Sequence, residues 1–161
     1  MAKLARKAHA IYIDSTFGSA TPDWFLIGKD IEDLSVDLAP DVQPQKNILG
    51  ETSVIDNGYE PKFSADPYYA NPDDAIYEKI KSIAMERKTG DDCKTKILEV
   101  IIEDTIVEAH EAYMEDIIVK PTSYGGDTSG MQIPFDVYFD GNRQKGTVAI
   151  ANKKPTFTPA T

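Results

Sequence analysis

PDVQPQKNILGETSVIDNGYEP, residues 40–61, lies between two runs that read as β-strands, and its reading decides how the rest of the chain is organised. Connections longer than roughly 12–15 residues are uncommon in compact domains, where they are functional or disordered. Composition argues against disorder. Ile48, Leu49, Val54 and Ile55 are side chains that a solvated linker has little reason to carry, while Gly50, Asn57 and Gly58 supply turn chemistry. The stretch therefore reads as a structured arm that buries those four side chains against something. If the chain's own core is already full, that something is another subunit, and the protein is a component of an assembly.

On either side of the arm the pattern is that of strands. Upstream, His9 to Asp14 and Trp24 to Gly28 are short apolar runs, and Leu34, Val36 and Leu38 alternate with Asp33, Ser35 and Asp37, the period-2 signature of a sheet with one acidic wet face. Downstream, Lys62 to Tyr69 reads as a strand limited by Pro67. One helix is expected from Asn71 as N-cap and Pro72 at the first helical position. Its apolar stripe is Ile76, Ile80, Ile83 and Ala84, and Gly90 is its stop.

Lys96 to Glu103 alternates again, with Glu99 and Glu103 assigned to the outer face, and Asp104 to Glu111 reads as a connection. Tyr113 to Lys120 is a further strand, Ser123 to Gly130 a flexible turn, and Met131 to Phe139 a strand with Asp136 on its polar face. Asp140-Gly141 then signals a hairpin into Gly146 to Ile150. Residues 152–161 are rich in Lys, Pro and Thr and read as a loose, extended tail. The expected fold is mainly β within the α+β class: two packed antiparallel sheets, sandwich- or barrel-like, flanked by one α-helix.

At 161 residues the chain is expected to form a single domain over 1–161, long enough to bury about two-thirds of its unfolded surface. A formal net charge of -10 disfavours sequence-independent binding to nucleic-acid phosphates, yet suits a wall past which DNA must slide. Cys93 is the only cysteine, which excludes an internal disulfide and a multi-cysteine zinc site. The basic start at Lys3, Arg6 and Lys7 is followed by too short an apolar run for a signal peptide, so synthesis in the cytoplasm is expected.

No constellation for catalysis stands out, and no cofactor or metal is expected. His110, Glu111, Glu115 and Asp116 are metal-capable but lack the i, i+4 histidine spacing of a metal helix; a solvated acidic loop accounts for them. Asp91, Asp92, Asp104 and Asp127 do not follow an EF-hand pattern. Gly125-Gly126 lacks the ending of a P-loop, and Cys93 follows two carboxylates that oppose thiolate formation. Glu99 and Glu103 recur as a carboxylate pair, for which an acidic strand face is the commoner origin than a glycosidase site. Two rival readings remain: a small acidic hydrolase or metal-dependent enzyme around His110, Glu111 and Asp116, and a monomeric binding module with the arm as recognition loop.

Several runs in order, AHAIYIDS at 8–15, LIGKDIEDLSVDLAPDV at 26–42, KNILGETSVIDNGYEP at 46–61, PYYANPDDAIYEKI at 67–80 and IVKPTSYGGDTSG at 118–130, resemble the tail tube (major tail) proteins of long-tailed bacteriophages. The resemblance spans nearly the whole chain and rests on the length and order of the match. It implies two packed antiparallel sheets with a flanking helix, six copies per ring, and rings stacked into a hollow tube that DNA traverses during ejection. A long loop between early strands would reach the neighbouring ring. On that implication the inter-ring contact is Ile48, Leu49, Val54 and Ile55, and Asp33, Asp37, Glu99, Glu103 and Asp136 are lumen-facing candidates. The implied setting is the tail of a virion. The implied partners are further copies of the chain, a tape measure protein, a tail terminator and distal tail or baseplate proteins, with DNA passing unbound and no membrane insertion. The alternative is the inner tube of a contractile particle: a contractile phage, a tailocin or a type VI-like secretion tube.

Overall fold

The computed structural model describes residues 3–103 and 109–160. Its central strand, β1 (His9–Asp14), shows how the sequence builds the fold: Ile11 and Ile13 point to one side, Tyr12 to the other, and each side meets a buried apolar cluster. β2 (Trp24–Ile27) pairs antiparallel with one edge of β1, and β6 (Lys94–Ile101) with the other. Beyond β6 lie β7 (His110–Pro121), β10 (Phe135–Ala151) and β11 (Lys154–Pro159), all antiparallel, while β5 (Lys62–Ala65) pairs with the first part of β10.

The result is mainly β within the α+β class, as expected, and the sandwich-like packing comes from one seven-stranded sheet that curls on itself. Ile11, Ile97, Ile117, Val119, Phe135, Val137 and, from β5, Phe63 share the first core. Tyr12, Trp24, Leu98, Val100, Ala112 and Val148 form the second, on the opposite face. Two separate hairpins stand off this sheet: β3 (Pro40–Lys46) with β4 (Thr52–Tyr59), and β8 (Gly125–Asp127) with β9 (Gly130–Gln132).

β10, like β1, β6 and β7, contributes to both cores: Phe135 and Val137 to the first, Val148 to the second. The Asp140-Gly141 pair does not reverse the chain; it sits within β10, where register shifts fall at Phe139/Gly141 and Gly141/Gln144, and Gly141 and Asn142 hold φ of 99° and 56°. A bulge uses the same residue types as a hairpin turn, so the letters alone point to either. Past this bend β10 exchanges β5 for β11 as its outer neighbour. Residues 154–159 are thus a strand on the chain's own sheet, not a loose tail. Their turn at Asn152 and Lys153 takes two consecutive left-handed residues, φ 52° and 65°.

The helix α1 (Tyr77–Glu86) starts later than the N-cap signal predicts. Asn71 Oδ1 accepts from the Asp73 amide at 3.0 Å and its carbonyl from the Asp74 amide at 2.9 Å, so Pro72 opens a turn. Asp74 in turn accepts from the Tyr68 hydroxyl at 3.2 Å. The helix ends at left-handed Arg87, with the Lys88 amide returned to the Ile83 carbonyl at 3.1 Å, before Gly90 is reached. Ile76 and Ile80 plug the first core.

Residues 31–38 also depart from expectation. The alternation buries Leu34 and half-buries Val36, yet no ladder forms: the segment runs extended, its only bridge being Asp37 to Lys62, and the Leu34 carbonyl accepts from Arg6. Downstream, the strand that starts at Lys62 stops at Ala65, and the turn expected at 123–130 is largely the β8–β9 hairpin, separated from β10 by Pro134. Of the connection expected at 104–111, residues 104–108 lie outside the described residues, and His110 and Glu111 belong to β7.

Candidate functional site

The arm is a two-stranded ribbon built by β3 and β4, in register from Val42 opposite Asp56 to Lys46 opposite Thr52, with a register shift between Val42 and the Pro40–Tyr59 pair at its base. Its root is closed where the Asp37 and Lys62 amides donate to each other's carbonyls, at 2.8 and 3.0 Å. At its tip Asn47 Oδ1 accepts from the Leu49 and Glu51 amides at 2.9 and 3.0 Å, and Gly50 takes φ 78°. The turn is therefore fixed by local chemistry. Among the described residues nothing covers either face: every residue of β3 is exposed, Ile48 is 102% and Leu49 76% exposed, and Val54 and Ile55 are open at 63% and 37%. An uncovered two-stranded ribbon is marginal alone, and clustered exposed aliphatics mark interaction sites.

The acidic set divides. Asp37 and Asp136 fall on one outer face, since Asp37 pairs with Lys62, Lys62 with Tyr138, and Ser64 with Asp136. Asp136 is half-buried and accepts from the Ser64 hydroxyl. Asp33 is exposed on the extended segment leading to Asp37, and Glu103 is exposed just beyond β6. Glu99, expected on the outer face, is 7% exposed. It lies on the first-core side of β6 because that strand is covered on both faces, and a strand buried on both sides does not sort its residues into wet and dry.

What holds Glu99 there is Arg143, whose part the sequence did not reveal. Arg143 Nη2 donates to Glu99 at 2.7 Å and Nη1 to Glu115 at 2.9 Å, and the guanidinium lies 4.7 Å from the centre of the Tyr113 ring. Glu115 also accepts from the Gly141 amide at 3.1 Å, so the cluster is anchored on the bulge of β10. Burial opposes ionisation of Glu99, but His9 at 3.8 Å and Arg143 at 2.7 Å favour the anion, and the carboxyl is held below its ordinary value. The signal available in the sequence was the two-residue spacing from Gly141 to Arg143, legible only once Gly141 is known to be a bulge.

The metal-capable set is spread along β7 rather than gathered in a loop. Residues of a strand alternate between faces, so His110 and Asp116 share one side while Glu111 and Glu115 share the other. Among the described residues no group of three or more His, Cys, Asp or Glu is placed to hold a metal ion. His110 is buried, and its Nδ1 has no hydrogen-bond partner among them. The Cys93 thiol is buried against the Lys88 carbonyl at 3.3 Å, with Lys120 Nζ at 3.6 Å. Among the described residues no helix is long and apolar enough to cross a membrane.

Among the solved structures that share this fold are two tube-terminating proteins. One is the sheath/tube terminator, in the extended state, of an extracellular contractile injection system, PVC: TM-score 0.56, 12% identity, 90% of this chain and 97% of that one. The other is the tube-terminating cap of the anti-feeding prophage, AFP: TM-score 0.51, 14% identity, 99% of this chain and 93% of that one. No family model and no curated protein sequence matches the chain. At these identities the likeness defines a fold, a curled antiparallel β-sheet with one helix, shared over almost the full length of all three chains.

Proposed function

We propose that the protein is a structural subunit of a phage-tail-like tube, and specifically the tube protein itself: copies close into hexameric rings, and rings stack into a hollow conduit for DNA. The observation that carries this is the arm. Its four aliphatic side chains are exposed, its turn is locally fixed, and burying them in a neighbouring ring removes apolar surface from water at about 25 cal/mol per Å². A heterologous contact of this kind does not close on itself and propagates a filament. The near full-length resemblance to tail tube proteins and the fold likeness to two tube-terminating proteins support the same reading.

In this reading Ile48, Leu49, Val54 and Ile55 are the ring-to-ring contact. Asp33, Asp37, Glu103 and Asp136 are the candidates for a lumen that repels phosphate. Glu99 is not among them, since it is buried and tied to Arg143. A second reading, that the chain caps a tube as a terminator does, is favoured by the fold likeness alone; the inner tube of a contractile particle remains the other alternative. Sedimentation velocity over a concentration series tests the proposal. A tube protein gives open-ended polymers that grow with concentration, a terminator stops at a single ring, and a monomer at all concentrations contradicts both.

A further inference from the structure

The second core reaches the surface at Met114 and Phe157, which pack against it and are only partly buried. Between the loop at residues 15–23 and β11 lies an open groove of about 1020 Å³, beyond the roughly 300–1,000 Å³ of pockets that take a drug-sized molecule. Trp24, Met114 and Phe157 line its floor, and its two walls are braced by Lys154 Nζ at 2.9 Å from Asp23. Lys96 and Asp116 stand opposite each other in the β6–β7 register at its margin. Neither takes an ion pair among the described residues, although Asp116 accepts from Asn142 Nδ2 at 2.8 Å.

The arm tip is the complement of this groove. It presents Ile48 and Leu49 between Lys46 and Glu51, one charge of each sign, which likewise take no ion pair among the described residues. With Ile48 at 102% exposure, the tip does not occupy its own chain's groove. We propose that the groove over the second core is the receptor for the arm tip of another copy. The aliphatic pair sits on the Trp24–Met114–Phe157 floor, and Lys46 and Glu51 are matched by Asp116 and Lys96. This rests on the reading that copies assemble through the arm, and it names the surface on which the arm lands.

Cross-linking separates the two claims. Copies carrying both Leu49→Cys and Thr21→Cys place one thiol on the tip and one on the groove wall, while Cys93 stays buried. Under mild oxidation at concentrations where the protein polymerises, the account expects a ladder of dimers, trimers and higher species. Leu49→Cys with Met85→Cys, on the exposed side of α1, gives no ladder above the single-cysteine background. Ile48→Cys replaces Leu49→Cys if the latter weakens polymerisation. Polymers that form without a Thr21 ladder overturn the groove assignment and leave the assembly reading standing. Protein that is folded by circular dichroism yet monomeric throughout overturns both.

Discussion

Arg143 is 42% exposed, yet two carboxylates with 9% side-chain exposure depend on it. Removing it as Arg143→Ala leaves Glu99 and Glu115 as neighbouring, poorly solvated anions. A fully buried broken pair costs about 3–5 kcal/mol; solvent around Arg143 screens the cluster, so a loss of about 1–3 kcal/mol is expected in urea unfolding. Arg143→Lys recovers only part of it, because one ammonium does not bridge two carboxylates as a fork does. The sign of the pH dependence follows from Glu99, whose folded pKa lies below its ordinary 4.5. Its contribution is complete above that ordinary value and is lost as pH falls through the lower folded one. The thermal-melt advantage of wild type over Glu99→Gln is therefore expected to shrink as the pH falls from 4.5 into stronger acid. Here the sequence misleads for a physical reason. Alternation puts Glu99 opposite Leu98 and Val100, but whether that other face is wet depends on strands more than forty residues away.

At the level of elements, the arm was legible because its anomaly is local: too long, too apolar and punctuated by turn residues. Leu49→Asp is expected to leave the unfolding free energy of the isolated subunit within about 0.5 kcal/mol of wild type, since the side chain is 76% exposed. The same change puts an unpaired charge into the proposed contact at a cost of several kcal/mol, so polymer disappears from sedimentation profiles. Equal losses of folding and assembly would show that the arm packs on its own chain instead. β10 illustrates the opposite limit. Its bulge, its 17-residue length and the strand status of residues 154–159 are tertiary facts, set by β5, β7 and β11 rather than by Asp140-Gly141. Gly146 records how tightly β11 lies against it: a Cβ there would meet the Thr158 carbonyl and come within 2.7 Å of the Phe157 ring. Gly146→Ala is expected to cost about 1–3 kcal/mol by overpacking and to raise hydrogen exchange in β11 first. The late start of α1 was illegible for a similar reason, because Tyr68 and the Asn71 turn claim the residues that the capping pattern assigns to the first helical turn.

For the molecule as a whole, a curled sheet with two cores carries a hairpin that stands clear of both, so the fold does not depend on the hairpin. Replacing residues 41–58 with a two-residue turn between Pro40 and Tyr59, above the Asp37–Lys62 closure, is accordingly expected to leave the chain folded, with a melting temperature within a few degrees of wild type and no polymer. The fold class could be read from the sequence because strand periodicity, turn residues and one amphipathic stripe agree; that the strands form one curled sheet could not, since pairing is decided between distant segments. The chain shares its fold with two tube-terminating proteins, and in the function proposed above it is burial of the arm in a neighbouring ring that makes the difference between stacking and capping. Negative-stain electron microscopy of the concentrated wild-type protein tests this most directly. The account predicts hollow tubes of stacked rings, lost in Leu49→Asp; fields of separate small particles at every concentration would contradict it.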